Sequence, residues 1–147
     1  KSLISIAAAE WQNSTKGIIS FHIEMMPTSN VIDPTKSIII YSVSPDSPDI
    51  ISLDAETDSK HLGVTNMEHF IPNIEIVSSR ITTAESFKGV ILHELGHAIG
   101  LKHNEGIAGY QTLMCPAQNI GASEITETDL QNFCKLYQCN INDLLKN

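Results

Sequence analysis

Apolar side chains recur with helical spacing near both ends of the chain. Residues 2–13 carry an amphipathic stripe of apolar side chains: Leu3, Ile4, Ala7, Ala8 and Trp11. Near the other end, Thr126 and Asp129 have the spacing of a helix N-cap. The core-facing residues expected after this cap are Leu130, Phe133, Leu136 and Tyr137. The pattern therefore predicts a first helix over residues 2–13 and a last helix that begins at Thr126.

The middle of the chain shows the alternation and the short apolar runs that are typical of strands. Alternation over residues 18–25 and 73–79, and an apolar run within residues 37–43, each predict a strand. Proline and aspartate mark a turn region over residues 45–49, and the polar segment 54–63 is expected to form a surface loop.

A long helix is predicted over about residues 83–99, with a capping box formed by Thr82 and Glu85 at its start. Gly100 follows this helix, and glycine adopts a positive φ at little cost, so the chain can turn sharply there. Glycines make the segment after His103 irregular. The order of helix, strands, helix, irregular segment and helix predicts an α+β fold.

Composition and charge narrow the classes of partner. The chain has 147 residues, of which 41% are hydrophobic, as is ordinary for one globular domain. A net charge of −8 without a basic patch disfavours nucleic acid and anionic membrane surfaces as partners. No apolar run approaches the roughly 20 residues that span a membrane. We therefore expect one domain over residues 1–147 that binds neither nucleic acid nor membrane.

The segment HELGHAIGLKH, residues 93–103, carries the strongest chemical signal. His93 and His97 are four residues apart, so on a helix both rings face one side and reach the same metal ion. After the turn, His103 returns as a third ligand. Three protein ligands leave the fourth position of a zinc ion open for water, as in catalytic sites. Glu94 is then placed to deprotonate that water.

Other interpretations of this segment stay open from the sequence. Two histidines on the polar face of a surface helix have the same spacing as His93 and His97. An inactive zinc-binding module is a second alternative, although a purely structural site has no need of Glu94. A zinc hydrolase that acts on a non-peptide amide is a third. Hydrolysis of an unstructured protein would separate these alternatives.

The spacing HExxHxxGxxH resembles the motif of the metzincin metallopeptidases. Residues 112–116 resemble their Met-turn, which would place Met114 beneath the metal, although a core methionine in an irregular turn is also consistent with this pattern. Within that clan the chain is most similar to the matrixins (matrix metalloproteinase-like catalytic domains), through residues 9–11 and 125–137. One departure is Asn104, where matrixins usually have serine.

The resemblance implies both a fold and an activity. The fold would be a metzincin-like zinc-protease domain: a twisted mixed sheet, a long zinc-binding helix, a Met-turn and a C-terminal helix. The activity would be that of a zinc metalloendopeptidase with one catalytic Zn²⁺, in which Glu94 is the general base towards a zinc-activated water. Calcium is unsupported, because the acidic residues between positions 46 and 58 lack a regular ligand pattern.

An extended peptide or protein is the substrate that the resemblance implies. It would pair with the edge strand of the sheet, which we assign to residues 74–79. Pro116, Ala117 and Gln118 would form one wall of the pocket for the side chain after the scissile bond, unless they simply continue the turn. Because Ala117 is small, we expect this pocket to be roomy and to accept apolar side chains.

The resemblance also carries expectations about the wider protein. Matrixins usually begin with a strand before the first helix, so we expect this chain to lack an N-terminal strand or a propeptide. Secretion is expected on the same ground, and we also expect a monomer. Cys115, Cys134 and Cys139 are odd in number, so at least one is unpaired or bonded outside the chain, and their pairing stays open.

A second metal site is a further candidate. His61 and His69 lie near Asp54 and Asp58 in the sequence. Their spacing does not match the structural zinc site of the matrixins, so a polar surface loop is the favoured interpretation.

Overall fold

The computed structural model describes residues 2–24, 33, 37–57, 59–104, 111–116 and 123–146. Within these residues the elements are, in order, α1 (Leu3–Ser14), β1 (Ile39–Ser42), α2 (Pro48–Thr57), β2 (Gly63–Asn66), β3 (Asn73–Ile76), α3 (Ala84–Ala98), α4 (Glu127–Tyr137) and α5 (Ile141–Leu145). A 3₁₀ turn at Ser78–Arg80 connects β3 to α3. Helices combined with a small mixed sheet confirm the predicted α+β class.

The three described strands form one sheet in the order β1-β3-β2. β3 is parallel to β1 and antiparallel to β2, and all four of its residues are buried, as expected of a central strand. Our assignment of the substrate-pairing edge to residues 74–79 is therefore wrong, because β3 uses its backbone hydrogen bonds on both neighbours. Among the described strands, β2 is the edge that packs against α3.

The hydrophobic core lies between α1, α3, α4 and the sheet. Trp11 is fully buried in it, and its indole Nε1 donates to the carbonyl of Leu92 at 2.9 Å. Ala7 and Ala8 are buried on the same face of α1, and their small side chains allow α1 to approach α3 closely. Phe133 of α4 is also fully buried. This packing fixes α3, which carries the first part of the site.

Local signals set the ends of the long helix. Thr83 is the N-cap of α3 and accepts from the backbone N–H of Ser86 at 3.0 Å, one residue later than the predicted box at Thr82. Gly100 has a φ of +92°, in the left-handed region that glycine favours at helix ends. At the start of α4, Thr126 is the predicted N-cap, and it also forms a capping box with the third residue of the helix.

The region before β3 differs most from the sequence-based expectation. We predicted a turn over residues 45–49 and a loop over 54–63, whereas Pro48–Thr57 form α2 and Gly63–Asn66 form β2. A proline at the first position of a helix needs no partner for its nitrogen, so it favours this start. The strand predicted over 18–25 is also wrong for residues 18–24, which form no regular element; residue 25 lies outside the described residues.

The inner face of α4 is narrower than its periodicity predicts. Leu136 and Tyr137 were expected to face the core but are 51% and 37% exposed. Tyr137 instead stacks on Phe133 and donates from its hydroxyl to the carbonyl of Ile99 at 2.9 Å. The ring therefore ties α4 to the end of α3 from the surface.

The cysteines fall into one bonded pair and one thiol. Cys134 and Cys139 form a disulfide across the end of α4. Cys115 is a buried free thiol. As for membrane association, none of the described helices has the length and apolar character needed to cross a bilayer.

Candidate metal centre

Three histidine side chains converge at the C-terminal end of α3. His93 and His97 lie one turn apart on this helix, and His103 returns to them after the turn at Gly100. The Nε2 atom of His97 lies 3.1 Å from the Nε2 atoms of both His93 and His103, and the latter two are 3.3 Å apart. These residues are termed the three-histidine cluster.

The geometry of this cluster fits a tetrahedral zinc ion. Ligand nitrogens about 2.0–2.1 Å from such an ion lie roughly 3.3–3.4 Å from one another, close to the observed separations. Nδ1 of His93 donates to the Leu113 carbonyl at 2.7 Å, and Nδ1 of His97 donates to the Leu101 carbonyl at 2.9 Å. Because a carbonyl only accepts, the Nε2 lone pairs of these two rings face one another. A cation between them removes their repulsion.

Burial disfavours the protonated form of each of the three imidazoles. It lowers the pKa of His93 to about 4, and the charge of His97 adds to this effect. Burial also lowers the pKa of His97 and of His103. For His103, nearby His97 and His61 lower the pKa further. Since a metal ligand must be a neutral imidazole, these lowered pKa values favour the form of the cluster that binds a cation.

Glu94 is 5% exposed and lines the same cleft as the three-histidine cluster. Its Oε2 accepts a hydrogen bond from the hydroxyl of Thr65 at 2.6 Å, and that hydroxyl also lies 2.9 Å from the Glu94 backbone carbonyl. Burial raises the pKa of Glu94 to about 7, which the Thr65 hydrogen bond partly opposes. A carboxyl group with such a pKa can both accept and release a proton near neutrality.

The missing side chain of Gly63 makes room for the Glu94 carboxylate. A Cβ at Gly63 would lie 3.0 Å from Oε1 of Glu94 and 3.1 Å from the backbone carbonyl of Glu75. Sequence reasoning missed both Gly63 and Thr65, because the region that begins β2 was assigned to a loop. The strand is only four residues long, which is too short for its alternation to be recognised.

The turn that contains Met114 packs against α3. Met114 is 1% exposed, and a Cβ at Gly96 would overlap with its sulfur and lie 3.3 Å from the ring of Trp11. Glycine is therefore needed for this close approach. The preceding residue, Leu113, supplies the carbonyl that orients His93. The turn thus supports the first histidine of the cluster from behind.

A buried polar network joins this turn to the segment after the third histidine. Asn104 donates from Nδ2 to Thr112 Oγ1 and to Asp129 Oδ1, both at 2.9 Å. Asp129 is fully buried and accepts from the backbone N–H groups of Leu113 at 3.0 Å and Met114 at 3.2 Å. The Asn104 N–H donates to the Met114 carbonyl at 2.7 Å. Asn104, noted above only as a departure from serine, therefore links both segments to α4.

The cleft around the cluster has a volume of about 590 Å³. The edge strand contributes residues 63–65 to one side, and Leu53 of α2 and Val90 of α3 add apolar surface. Pro116 also lines the cleft. Ala117 and Gln118, the other predicted wall residues, lie outside the described residues. The cleft therefore combines a strand edge, an apolar lining and the three-histidine cluster.

His61 lines the same cleft and is held by two charged side chains. Its Nδ1 lies 3.0 Å from Asp54 Oδ1. Arg80 donates to Asp54 Oδ2 at 2.8 Å and to the His61 backbone carbonyl at 2.7 Å. Asp54, His61 and Arg80 are termed the His61 cluster. Sequence reasoning did not place His61 in the site, since nothing local indicates which way its ring faces.

The second metal site considered from the sequence is not assembled among the described residues. There the three-histidine cluster is the one group of at least three His, Cys, Asp or Glu side chains arranged to hold an ion. His69 lies 3.6 Å from Asp49 rather than joining His61. The guanidinium of Arg80 neutralises Asp54, and Asp58 lies outside the described residues.

Comparison with known proteins identifies a family for this chain. A family model described as matrixin matches residues 7–138. Comparisons with curated proteins and with solved structures give no match. The matched range extends from within α1 to just past the end of α4, so it includes the three-histidine cluster, Glu94 and the Met114 turn.

Proposed function

This chain belongs to the matrixin family, and we propose that it is a zinc-dependent endopeptidase with its active site at the three-histidine cluster. The family supports metalloprotease activity on peptides or proteins. The observation that carries the proposal is geometric. Three Nε2 atoms within 3.3 Å of one another share a cleft with the buried carboxylate of Glu94.

The three-histidine cluster would hold the zinc ion through its Nε2 atoms. When bound, zinc supplies Lewis acidity, which lowers the pKa of water from about 15.7 towards 7 and polarises a peptide carbonyl. The carbonyls of Leu113 and Leu101 keep His93 and His97 in the tautomer that such binding requires. Backbone groups therefore orient these two ligands.

Glu94 is the general base of the proposed reaction. Its Oε2 is held by Thr65, so Oε1 is the oxygen that takes a proton from the attacking water. The same carboxyl group then delivers that proton to the leaving amine as the peptide C–N bond breaks. Gly63 leaves the space that Oε1 occupies, and Thr65 keeps the carboxylate in one orientation.

The edge strand β2 is the surface along which we place an extended substrate. Within the described chain β2 pairs with β3 alone, and residues 63–65 line the cleft. Backbone pairing at such an edge selects an extended peptide but little sequence. We assign selectivity to a roomy, apolar-accepting pocket for the residue after the scissile bond, with Pro116 and Ala117 in its wall.

We further propose that residues 1–147 form one catalytic domain and that the protein is secreted and monomeric. Secretion follows from the usual location of matrixins, and the Cys134–Cys139 disulfide is compatible with an oxidising compartment. Analytical ultracentrifugation checks the monomeric state. A stable species of twice the 16.1 kDa chain mass would contradict it.

The main test is cleavage of a peptide library by the zinc-loaded protein with and without a chelator. We expect cleavage of peptide bonds, its loss with the chelator and its return when zinc is added. Glu94→Ala should retain zinc but lower kcat/KM by about 10³-fold. The matched control Glu68→Ala, at an exposed position, should behave as the wild type.

Two outcomes would count against the proposal. Zinc bound at one equivalent without cleavage of any library peptide would favour an inactive zinc-binding module. Turnover of Glu94→Ala near that of the wild type would remove Glu94 from the role of general base.

A further inference from the structure

The His61 cluster lies in the catalytic cleft but has no part in the mechanism described above. His61 lies two residues before β2, and its side chain is 16% exposed. Its ring lines the cleft near His103, whose pKa it lowers in addition to burial and His97. The ring is therefore at the end of the strand edge along which we place the substrate.

Asp54 fixes both the orientation and the tautomer of the His61 ring. Its Oδ1 accepts from the His61 backbone N–H at 2.7 Å and faces Nδ1 at 3.0 Å. The hydrogen bond from Arg80 holds the pKa of Asp54 well below its usual range, so the carboxylate only accepts. In the neutral form of the His61 ring, Nδ1 therefore carries the proton and Nε2 carries the lone pair.

That lone pair is available to a ligand. Within the described part of the chain, Nε2 of His61 has no hydrogen-bond partner, and it is not a buried atom. A cation is disfavoured beside it, because the Arg80 guanidinium lies on the other side of Asp54. A neutral donor is the group that suits this acceptor.

We propose that His61 is a further substrate-contacting residue, whose Nε2 accepts a hydrogen bond from a backbone N–H of the extended peptide bound along β2. Asp54 and Arg80 are positioning residues that act through His61. The inference rests on the proposed function, because its ligand is the peptide substrate.

The length of β2 explains why the substrate needs this acceptor. The strand has four residues, so its carbonyls can pair with only a short stretch of peptide. The carbonyls of His61 and Leu62, just before the strand, already accept from Arg80 and from the Val77 N–H, and the His61 ring lies at that end. An unpaired N–H in a desolvated cleft weakens binding, whereas Nε2 satisfies it.

The test measures peptide binding without turnover. The probe is the tightest binder from a library of acetylated decapeptides, selected on the zinc-loaded Glu94→Gln variant. In that background, His61→Phe keeps a ring but removes Nε2, and we expect binding to weaken about 5- to 10-fold. His61→Gln supplies an amide oxygen and should restore part of the affinity. His22→Phe is the matched control, because the His22 side chain is 87% exposed.

Methylation of one peptide nitrogen at a time identifies the partner of His61. At one position, methylation should weaken binding to the Glu94→Gln parent about 5- to 10-fold. The same methylation should weaken binding to the His61→Phe variant of that parent only slightly further. Zinc affinity, measured by chelator competition, should be the same in the parent and in His61→Phe. A lower zinc affinity in His61→Phe would assign the effect to the metal centre and overturn the inference.

Asp54→Asn tests positioning with a spectroscopic signature. Its amide can present either oxygen or nitrogen to the ring, so the ¹⁵N shifts of His61 should move from a pure Nδ1–H tautomer to a mixture. Peptide affinity should fall with the fraction of that tautomer. An unchanged tautomer would give Asp54 a structural role only and overturn this part of the inference.

The outcomes separate the inference from the proposed function. Equal affinity of the parent and His61→Phe for the peptide and all its methylated forms would overturn the inference and leave peptidase activity intact. Binding that depends on His61, without cleavage by the wild type, would overturn the peptidase proposal alone. Failure of every library peptide to bind would overturn both.

Discussion

The cleft contains the three-histidine cluster and the His61 cluster, which differ in the group that faces the Nδ1 atoms of their histidine rings. In the three-histidine cluster, the backbone carbonyls of Leu113 and Leu101 accept from two of the Nδ1 atoms. In the His61 cluster, the group that faces Nδ1 is the Asp54 carboxylate, which is bound to Arg80. Both arrangements put the proton on Nδ1, but only the first brings several Nε2 atoms to one point.

The difference shows that residue type alone does not decide what a histidine binds. Converging lone pairs of neutral imidazoles suit a cation. The His61 ring stands alone, and the carboxylate beside it is already neutralised by a guanidinium. Such a ring gains little from binding a cation. The same side chain is therefore suited to ligate metal in one cluster and to accept a hydrogen bond in the other.

The largest expected contrast is in zinc affinity. His103→Ala removes one of the three proposed ligands, and we expect zinc binding to weaken by more than about 100-fold. His61→Ala should leave zinc affinity unchanged, because His61 is not among the side chains that are arranged to hold an ion. Competition with a chromophoric chelator measures both variants. Equal losses of zinc affinity in the two variants would show that the two clusters do not differ in metal binding.

The support behind the three-histidine cluster is tested next. Gly96→Ala places a methyl group where the Met114 sulfur lies, so the turn or the helix must shift. We expect the free energy of unfolding to fall by about 2 kcal/mol, as measured by urea denaturation. Gly89→Ala is the control, since a Cβ there meets its nearest neighbour at an ordinary 3.6 Å. A neutral Gly96→Ala would show that Met114 repacks freely.

A smaller effect is expected from the polar network. Asn104→Ala removes the hydrogen bonds to Thr112 and Asp129, which loosens the segment that follows His103. We expect zinc affinity to fall by about 10-fold, compared with no change in the exposed control Asn13→Ala. Unaltered zinc binding in Asn104→Ala would show that the polar network stabilises the fold but does not support the metal site.

The smallest effect concerns the charge behind His61. The folded-state pKa of Asp54 lies below its ordinary value of 3.8, so the carboxylate stabilises the fold above about pH 4 and loses this contribution as the pH falls through the folded-state pKa. We expect Asp54→Asn to lower the free energy of unfolding by about 1 kcal/mol at pH 7 and by less at pH 3. Urea titrations at both pH values check this. An equal loss of stability at pH 7 and pH 3 would exclude the charge of Asp54 as its cause.

The elements that were predicted correctly depend on neighbouring residues. The capping box at Thr126 and the helical stripe in residues 2–13 are local signals, and α4 and α1 follow them closely. β2 was missed because four residues are extended only by virtue of pairing with β3. Leu136 was assigned to the core because helical periodicity does not reveal how wide the covering surface is.

Local sequence was sufficient to bring His93 and His97 to one face of a helix and to turn the chain at Gly100, because helical pitch and glycine's backbone freedom act over a few residues. Long-range packing alone established that β2 borders the cleft, that Leu113 orients His93 from 20 residues away, and that the His61 ring lines the same cleft. Such contacts depend on how separate elements meet in space, and no spacing along the chain encodes them.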